Sequence, residues 1–311
     1  MNDKIARQVE EMKQQTIGVE LEMSNITRQK TAQVVAKYFG TENTVSYDGG
    51  GYDVWSCKDR KGRTWKAMSD SSIRGRHTAE LTTPILTYDD LEDLLAVARE
   101  LRHAGAISNP EHGCGVHIHI SASGHTAGTL RNLANIMASH ESLLIDALNL
   151  DRSRINQYCR TVDPAFLQRL NRKKPKTLSG LADIWYQDSY GSRNTHYNPT
   201  RYHMLNLLHA TFTKGTVEFR LFQFDNPGDG RKGGIHAGQL RTYIQLCLAL
   251  SQMAKEVKTA SPKPQQNENP KYAMRTWLLR LGFIGDEFQT ARYILTKRLG
   301  GDAAFRNGRA A

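Results

Sequence analysis

The sequence predicts an α+β fold, a curved and mainly antiparallel sheet with helices packed on one face, and three short stretches carry the prediction. In 115–121 (GVHIHIS), Val116, Ile118 and Ile120 alternate with His117, His119 and Ser121. In 17–24, Val19, Leu21 and Met23 alternate with Gly18, Glu20, Glu22 and Ser24. In 215–224, Val217, Phe219 and Leu221 alternate with Thr216, Glu218 and Arg220. A period of two marks a strand with one buried face, because successive side chains point to opposite sides. Each strand would bury an apolar stripe and present a polar pair. Side by side, the pairs would gather three carboxylates, two imidazoles and a guanidinium.

The remaining elements follow in chain order. Residues 1–15 read as a charged helical lead-in. Residues 31–39 have amphipathic helical spacing and stop at Gly40, suited to the left-handed turn that closes a helix. Residues 54–57 and 64–68 read as strands joined by a charged turn around Lys61-Gly62. That turn is longer than a two-residue hairpin and is expected to be a loose tip. Residues 70–76 read as a loop, and 77–83 as a strand placing Thr78, Glu80 and Thr82 on one face before Pro84. Leu91, Leu94, Leu95, Val97, Ala98 and Leu101 give 89–104 a helical stripe that ends at Gly105.

After the histidine strand, 126–149 reads as a long helix. Residues 151–200 show no clear period. The basic run Arg169–Lys176 (RLNRKKPK) and the turn-forming stretch 191–199 are expected to be solvated connections. The glycine-rich, basic 228–234 precedes a helix over 236–255, and 261–270 (SPKPQQNENP) has linker composition. Residues 274–283 and 287–299 read as a small helical appendage. The expected organisation is a catalytic domain over 1–258, a linker over 259–270 and the appendage over 271–311.

At 311 residues and 39% hydrophobic content the chain can build a substantial core. Its 42 basic and 31 acidic residues leave a net charge of +11. That balance suits a solvated basic surface or an anionic partner such as a nucleotide, an acidic peptide or nucleic acid. No run approaches the roughly 20 apolar residues that cross a bilayer; the most apolar helical stretch, 244–254, is broken by Gln245, Ser251 and Gln252. The first 15 residues lack the apolar centre of a secretory signal, so the expectation is a cytoplasmic protein without membrane contact. Cys57, Cys114, Cys159 and Cys247 form no CxxC and are expected to be reduced and buried.

Each polar pair has a bland reading when taken alone. Glu20-x-Glu22 can be two exposed glutamates on an edge strand, Glu80 a surface acid, and Glu218-Phe219-Arg220 an ordinary ion-pair segment. The HxH pair is stronger, yet HxH also occurs in zinc sites. Together they favour a two-cation nucleoside-triphosphate site. Carboxylates hold Mg²⁺ while it keeps waters for phosphate oxygens, and an arginine fork grips a transferring phosphoryl group. Imidazole would make Mn²⁺ a credible substitute. No GxxxxGK[ST] is present, and no GxGxxG opens a helix, the glycines of 228–234 lying in the basic loop ahead of one.

Four motifs occur in a telling order: GVELE (18–22), D-x-S-I…A-E-L (70–81), GVHIHIS (115–121) and RYHMLN…GTVEFRLF (201–222). Over about residues 16–255 the chain resembles the amidoligase family, carboxylate–amine ligases similar in fold to glutamine synthetase and glutamate–cysteine ligase. The resemblance implies a glutamine-synthetase-like catalytic domain using ATP and Mg²⁺. It implies that Glu20, His117 and Glu218 hold the cation on the ATP phosphates and that Glu22 and Glu80 hold a second. Asp70 would stand nearby as a ligand or as acceptor for the incoming amine. His119, with Ser121, would meet phosphate or substrate, Arg220 would stabilise the transferring phosphoryl group, and Arg201 and Asn206 would line the nucleotide or carboxylate pocket. The spacing between the middle acidic residues departs from glutamine synthetase, which leaves Asp70 the weakest assignment. The partners implied are small-molecule or peptide carboxylates and amines, with a glutamine amidotransferase-like protein as a candidate associate.

Competing readings rest on other subsets. A zinc hydrolase would use His112, Cys114, His117 and His119, although His112 and Cys114 flank Gly113 in a turn-like segment. A guanidino-kinase-like phosphotransferase would transfer phosphate without forming an amide. A nucleic-acid-binding protein ranks last, because it leaves the alternating Glu, His and Arg strands unexplained. The basic loops around Arg172–Lys176 and Arg231–Lys232 are candidate lids.

Overall fold

The computed structural model describes residues 3–189, 193, 198–225, 234–264 and 268–306. It is an α+β structure whose chain divides into two compact units. A sheet unit comprises Thr16–His119 and Leu221–Arg241, and a helical unit comprises Met1–Gln15, Ile120–Arg220 and Thr242–Ala311.

In the sheet unit, β1 (Ile17–Ser24), β2 (Ser46–Gly49), β3 (Val54–Lys58), β4 (Thr64–Met68), β5 (Thr78–Thr82) and β6 (Val116–Ser121) run in the spatial order β2-β3-β4-β5-β1-β6. The pairs β1–β5, β2–β3, β3–β4 and β4–β5 are antiparallel. Val19, Leu21 and Met23 of β1 and Val116, Ile118 and Ile120 of β6 are buried as their alternation requires. Between β1 and β2, α1 of this unit (Arg28–Phe39) packs on β3, β4 and β5, and α2 (Leu91–His103) packs on that helix. The first helix is closed at both ends. Thr27 Oγ1 accepts from Lys30 N, and Gly40 takes the left-handed conformation (φ 69°) expected of it.

The turn between β3 and β4 is not a loose tip. Asp59 is 3% exposed, and its carboxylate accepts from Lys61 N, Arg63 N, Arg63 Nε and Trp65 Nε1. A buried acid that collects so many donors locks the turn. Arg63 reaches on to Asp90, which also receives Lys61 and caps Thr87. Burial pushes the Asp90 carboxyl up, but these bonds outweigh it and hold it far below the ordinary carboxylate range.

The helical unit contains α3 (Asp3–Lys13), α4 (Ala127–Leu148), α5 (Arg152–Gln157), α6 (Pro164–Lys173), α7 (Leu178–Trp185) and α8 (His209–Lys214). It also holds most of α9 (Ala237–Glu256), then α10 (Pro270–Arg280) and α11 (Gln289–Thr296). β7 (Leu205–Asn206) pairs antiparallel with β8 (Thr216–Phe222), setting Asn206 opposite Glu218. Three helices therefore occupy much of 151–200 where a connection was expected. Each starts at a capping residue, Asp151, Asp163 or Thr177, and the basic run supplies the last turn of α6. Arg172 and Lys173 there complement the negative end of the helix dipole. Lys174 (φ 44°) then ends the helix before Pro175.

The C-terminal helices have substantial contacts inside this unit. Trp277 of α10 stacks on His140 of α4 at 3.8 Å, and Lys13 of α3 pairs with Glu287 at 3.0 Å. All four cysteines are buried thiols outside any disulfide, and burial drives the Cys57 thiol up to about 12. Among the described residues no helix is long and apolar enough to cross a membrane.

Candidate active site

On the polar face of β1 the every-second-residue spacing sets out Glu20, Glu22 and Ser24 in a row. Glu20 meets the histidines of β6: its Oε2 lies 3.1 Å from His117 Nδ1 and its Oε1 3.2 Å from His119 Nε2. Close approach is helped by Gly18, where a Cβ would stand 3.4 Å from that of His119. The other nitrogen of His117 lies 3.6 Å from Glu22 Oε1. Glu22 Oε2 accepts from Gly115 N at 2.6 Å. Glu20, Glu22, His117 and His119 are all buried.

The register places Glu22 directly opposite Glu80 of β5. Like charges facing each other across neighbouring strands repel. Asp70 nevertheless joins them: one ligating atom from each of Glu22, Asp70 and Glu80 falls within 4.8 Å of the others. Asp70 is held there by its own turn, accepting from Ser72 N at 2.6 Å, and Glu80 Oε1 accepts from Thr82 Oγ1 at 3.2 Å. Three carboxylates in a largely buried corner are costly without a neutralising cation. An all-oxygen donor set is the chemistry of Mg²⁺ or Mn²⁺, so these residues fit the metal that the sequence motifs imply.

The helical unit holds its own polar cluster. Glu218 Oε1 pairs with Arg220 Nη1 at 2.5 Å, and Glu218 Oε2 accepts from Asn206 Nδ2 at 2.7 Å. Arg220 N donates to Met204 O, and Arg154 Nη2 donates to Arg220 O at 3.2 Å. The Arg220 and Arg201 guanidinium carbons lie 5.8 and 5.6 Å from the Tyr202 ring centroid. Ser121 ends β6, its hydroxyl accepting from Ser123 N at 3.2 Å. Glu218, steadied by Asn206, orients the Arg220 fork, and such a fork suits an anionic oxygen group.

Three residues gain a place that the amidoligase-like assignments do not give them. His112 Nδ1 lies 2.5 Å from Ser24 Oγ at the end of the β1 polar row, Arg154 is buried behind Arg220, and Tyr202 offers its ring to two arginines. His112 carried a signal only through the zinc reading, its partner Ser24 through the alternation, and Arg154 and Tyr202 carried none. The zinc subset does not assemble among the described residues. Cys114 is a buried thiol 4.0 Å from His112 O, and the described groups able to hold a metal do not include it. Arg231 and Lys232 lie outside the described residues, whereas Arg172 and Lys173 belong to α6.

A family model described as "Putative amidoligase enzyme" matches residues 13–251. Among curated proteins none matches the sequence. Among solved structures, the chain is similar to a bifunctional glutathione synthetase from Pasteurella multocida, at 13% identity and a TM-score of 0.48. That match covers 96% of this chain and 49% of the other, so the chain spans about half the length of that structure.

Proposed function

Because this chain belongs to the amidoligase family, we propose that it is an ATP- and Mg²⁺-dependent carboxylate–amine ligase with a glutamine-synthetase-like catalytic fold. The observation that supports this most is the Glu22–Asp70–Glu80 oxygen cluster beside the Glu20–His117–His119 group. Glu22, Glu80 and Asp70 would hold one divalent cation. Glu20 and His117 would hold another, with Glu218 assigned to it by the family resemblance. The cations supply charge neutralisation at the phosphate oxygens.

The chain's own groups then have defined tasks. Arg220, oriented by Glu218, neutralises the γ-phosphoryl as a substrate carboxylate oxygen attacks phosphorus and the bond to ADP breaks. The product of that step is an acyl phosphate. The amine nitrogen attacks its carbonyl carbon, the carbon–oxygen bond to phosphate breaks, and the proton lost from nitrogen passes to the departing phosphate. His119 and Ser121 contact phosphate or substrate, while Arg201 and Asn206 line the nucleotide or carboxylate pocket. Excluding water protects the acyl phosphate from hydrolysis. An ATP-consuming enzyme with four buried thiols outside any disulfide suits the cytoplasm. A glutamine amidotransferase-like associate remains part of the proposal.

The test is isotopic. With a carboxylate substrate labelled in oxygen-18, ligation through an acyl phosphate transfers one labelled oxygen to the released phosphate. Amide formation with unlabelled phosphate would exclude the intermediate. Phosphorylated amine without amide would turn the assignment to a guanidino-kinase-like transfer.

A further inference from the structure

A second polar pocket lies within the helical unit, on the reverse face of β7. Asn206 turns its amide to Glu218, whereas Leu205 and Leu207, offset by one residue, face the other way, toward His203. On the other side of Phe166, Trp185 and His203 from those leucines, a cavity of about 340 Å³ is lined by the same three rings, with Arg160, Arg169 and Asp163 among its charged groups. That volume lies in the range of about 300–1,000 Å³ typical of small-molecule sites.

Its walls are flat and apolar. Phe166 and Trp185 meet edge to face at 4.8 Å, and Trp185 and His203 lie 5.8 Å apart. The polar groups leave unmet capacity. Trp185 is 9% exposed, yet its indole N–H has no acceptor among the described residues, nor has the buried Nε of Arg169. A buried donor without a partner is costly and invites an acceptor. Among the described residues the Arg160 guanidinium reaches the carbonyls of Tyr202 and Pro199, at 3.4 and 3.5 Å, the long end of hydrogen bonding.

Acceptors stand beside these donors. His203 binds Thr200 O through Nδ1, and burial keeps the ring neutral, so Nε2 offers a lone pair. Asp163 uses one oxygen to cap α6 through Ala165 N, leaving the other for a ligand. Asp188 pairs with Arg169 at 2.6 Å. Two guanidinium groups and two carboxylates therefore balance at the rim. A phosphate-rich ligand would meet both carboxylates, while a molecule carrying one charge of each sign would not be repelled.

We propose that this pocket binds a free amino acid with an aromatic side chain. Its carboxylate takes the guanidinium donors of Arg160 and Arg169, its ammonium takes Asp163, and its ring packs on Phe166 and Trp185. The site stands apart from the ligase reading and holds whether or not that reading does.

Calorimetric titration of the whole chain with L-phenylalanine, 3-phenylpropanoate and 2-phenylethylamine tests it, the last two each lacking one charge. L-Phenylalanine should bind saturably, and each analogue about tenfold or more weaker, the cost of a lost charged hydrogen bond. Trp185→Ala, which removes a wall of the cavity, should weaken L-phenylalanine by about tenfold or more. Arg160 is exposed, so Arg160→Ala should fold normally while losing a similar factor, and it decides the matter if the tryptophan variant misfolds. No saturable binding of L-phenylalanine, equal binding of 3-phenylpropanoate, or an unchanged Arg160→Ala variant would each overturn the proposal.

Discussion

Replacing Glu141 with glutamine should make the protein more stable in alkali and leave it little changed in acid. Glu141 sits on α4, is 6% exposed, and accepts from Val162 N through both carboxylate oxygens, at 3.0 and 3.2 Å. Burial raises its pKa from 4.5 to about 7, and the Val162 bond only partly offsets this. Between those two values the folded chain holds a proton that the unfolded chain releases. Stability therefore falls as pH rises through that window and is level above it. The shift of about 2.5 units corresponds to about 3 kcal/mol at most. Glutamine keeps an acceptor for Val162 N but carries no charge to desolvate. Urea denaturation at about pH 4.5 and about pH 8 measures the difference, with Glu141→Gln gaining up to about 3 kcal/mol on the wild type only at the higher pH. An equal difference at both values would refute the argument, because a charge-independent packing effect would then explain it.

Three other outcomes follow from the geometry. Gly113 has φ +77°, and a Cβ there would stand 2.5 Å from Ser72 O, so Gly113→Ala should cost about 1–3 kcal/mol in thermal melting. The same variant should weaken Mn²⁺ binding, because Ser72 belongs to the turn that positions Asp70. Asp90→Asn should cost about 3 kcal/mol at neutral pH by breaking the Arg63 and Lys61 bonds of a buried acid. Since the native carboxyl is held below its ordinary value of 3.8, that stabilisation is present above this value and lost as pH falls below it. Denaturation in acid should show the two proteins converging. Glu22→Gln should weaken Mn²⁺ binding by about 100-fold in a paramagnetic resonance titration, and unchanged affinity would remove Glu22 from the metal set.

The parts legible in the sequence were those with a strong local period. The alternation at Val19–Met23 and Val116–Ile120 located β1 and β6, and Gly40 located a helix end. Ser46–Gly49 of β2 is an exposed edge with no buried stripe, so it left no period to read. The helices α5, α6 and α7 are short, at 6, 10 and 8 residues, so each shows its spacing over only two or three turns. Their caps Asp151, Asp163-Pro164 and Thr177 were readable signs that the basic run obscured. At the site, Glu20 with His117 and His119 follows from strand spacing. The approach of Asp70 to Glu22 and Glu80 depends on a loop and on the register of β1 against β5, which no local pattern encodes. The locking of the β3–β4 turn by Asp59 is equally nonlocal in its reach to Asp90 through Arg63.

The central claim, ATP-dependent joining of a carboxylate to an amine, is met most directly by measuring ADP and phosphate release from Mg-ATP with pooled carboxylates and amines. Release should require both pools, should be accompanied by a new amide in the mass spectrum, and should vanish in Glu20→Ala and Arg220→Ala. Absence of nucleotide binding, with tightly held zinc and hydrolysis that needs no ATP, would contradict it.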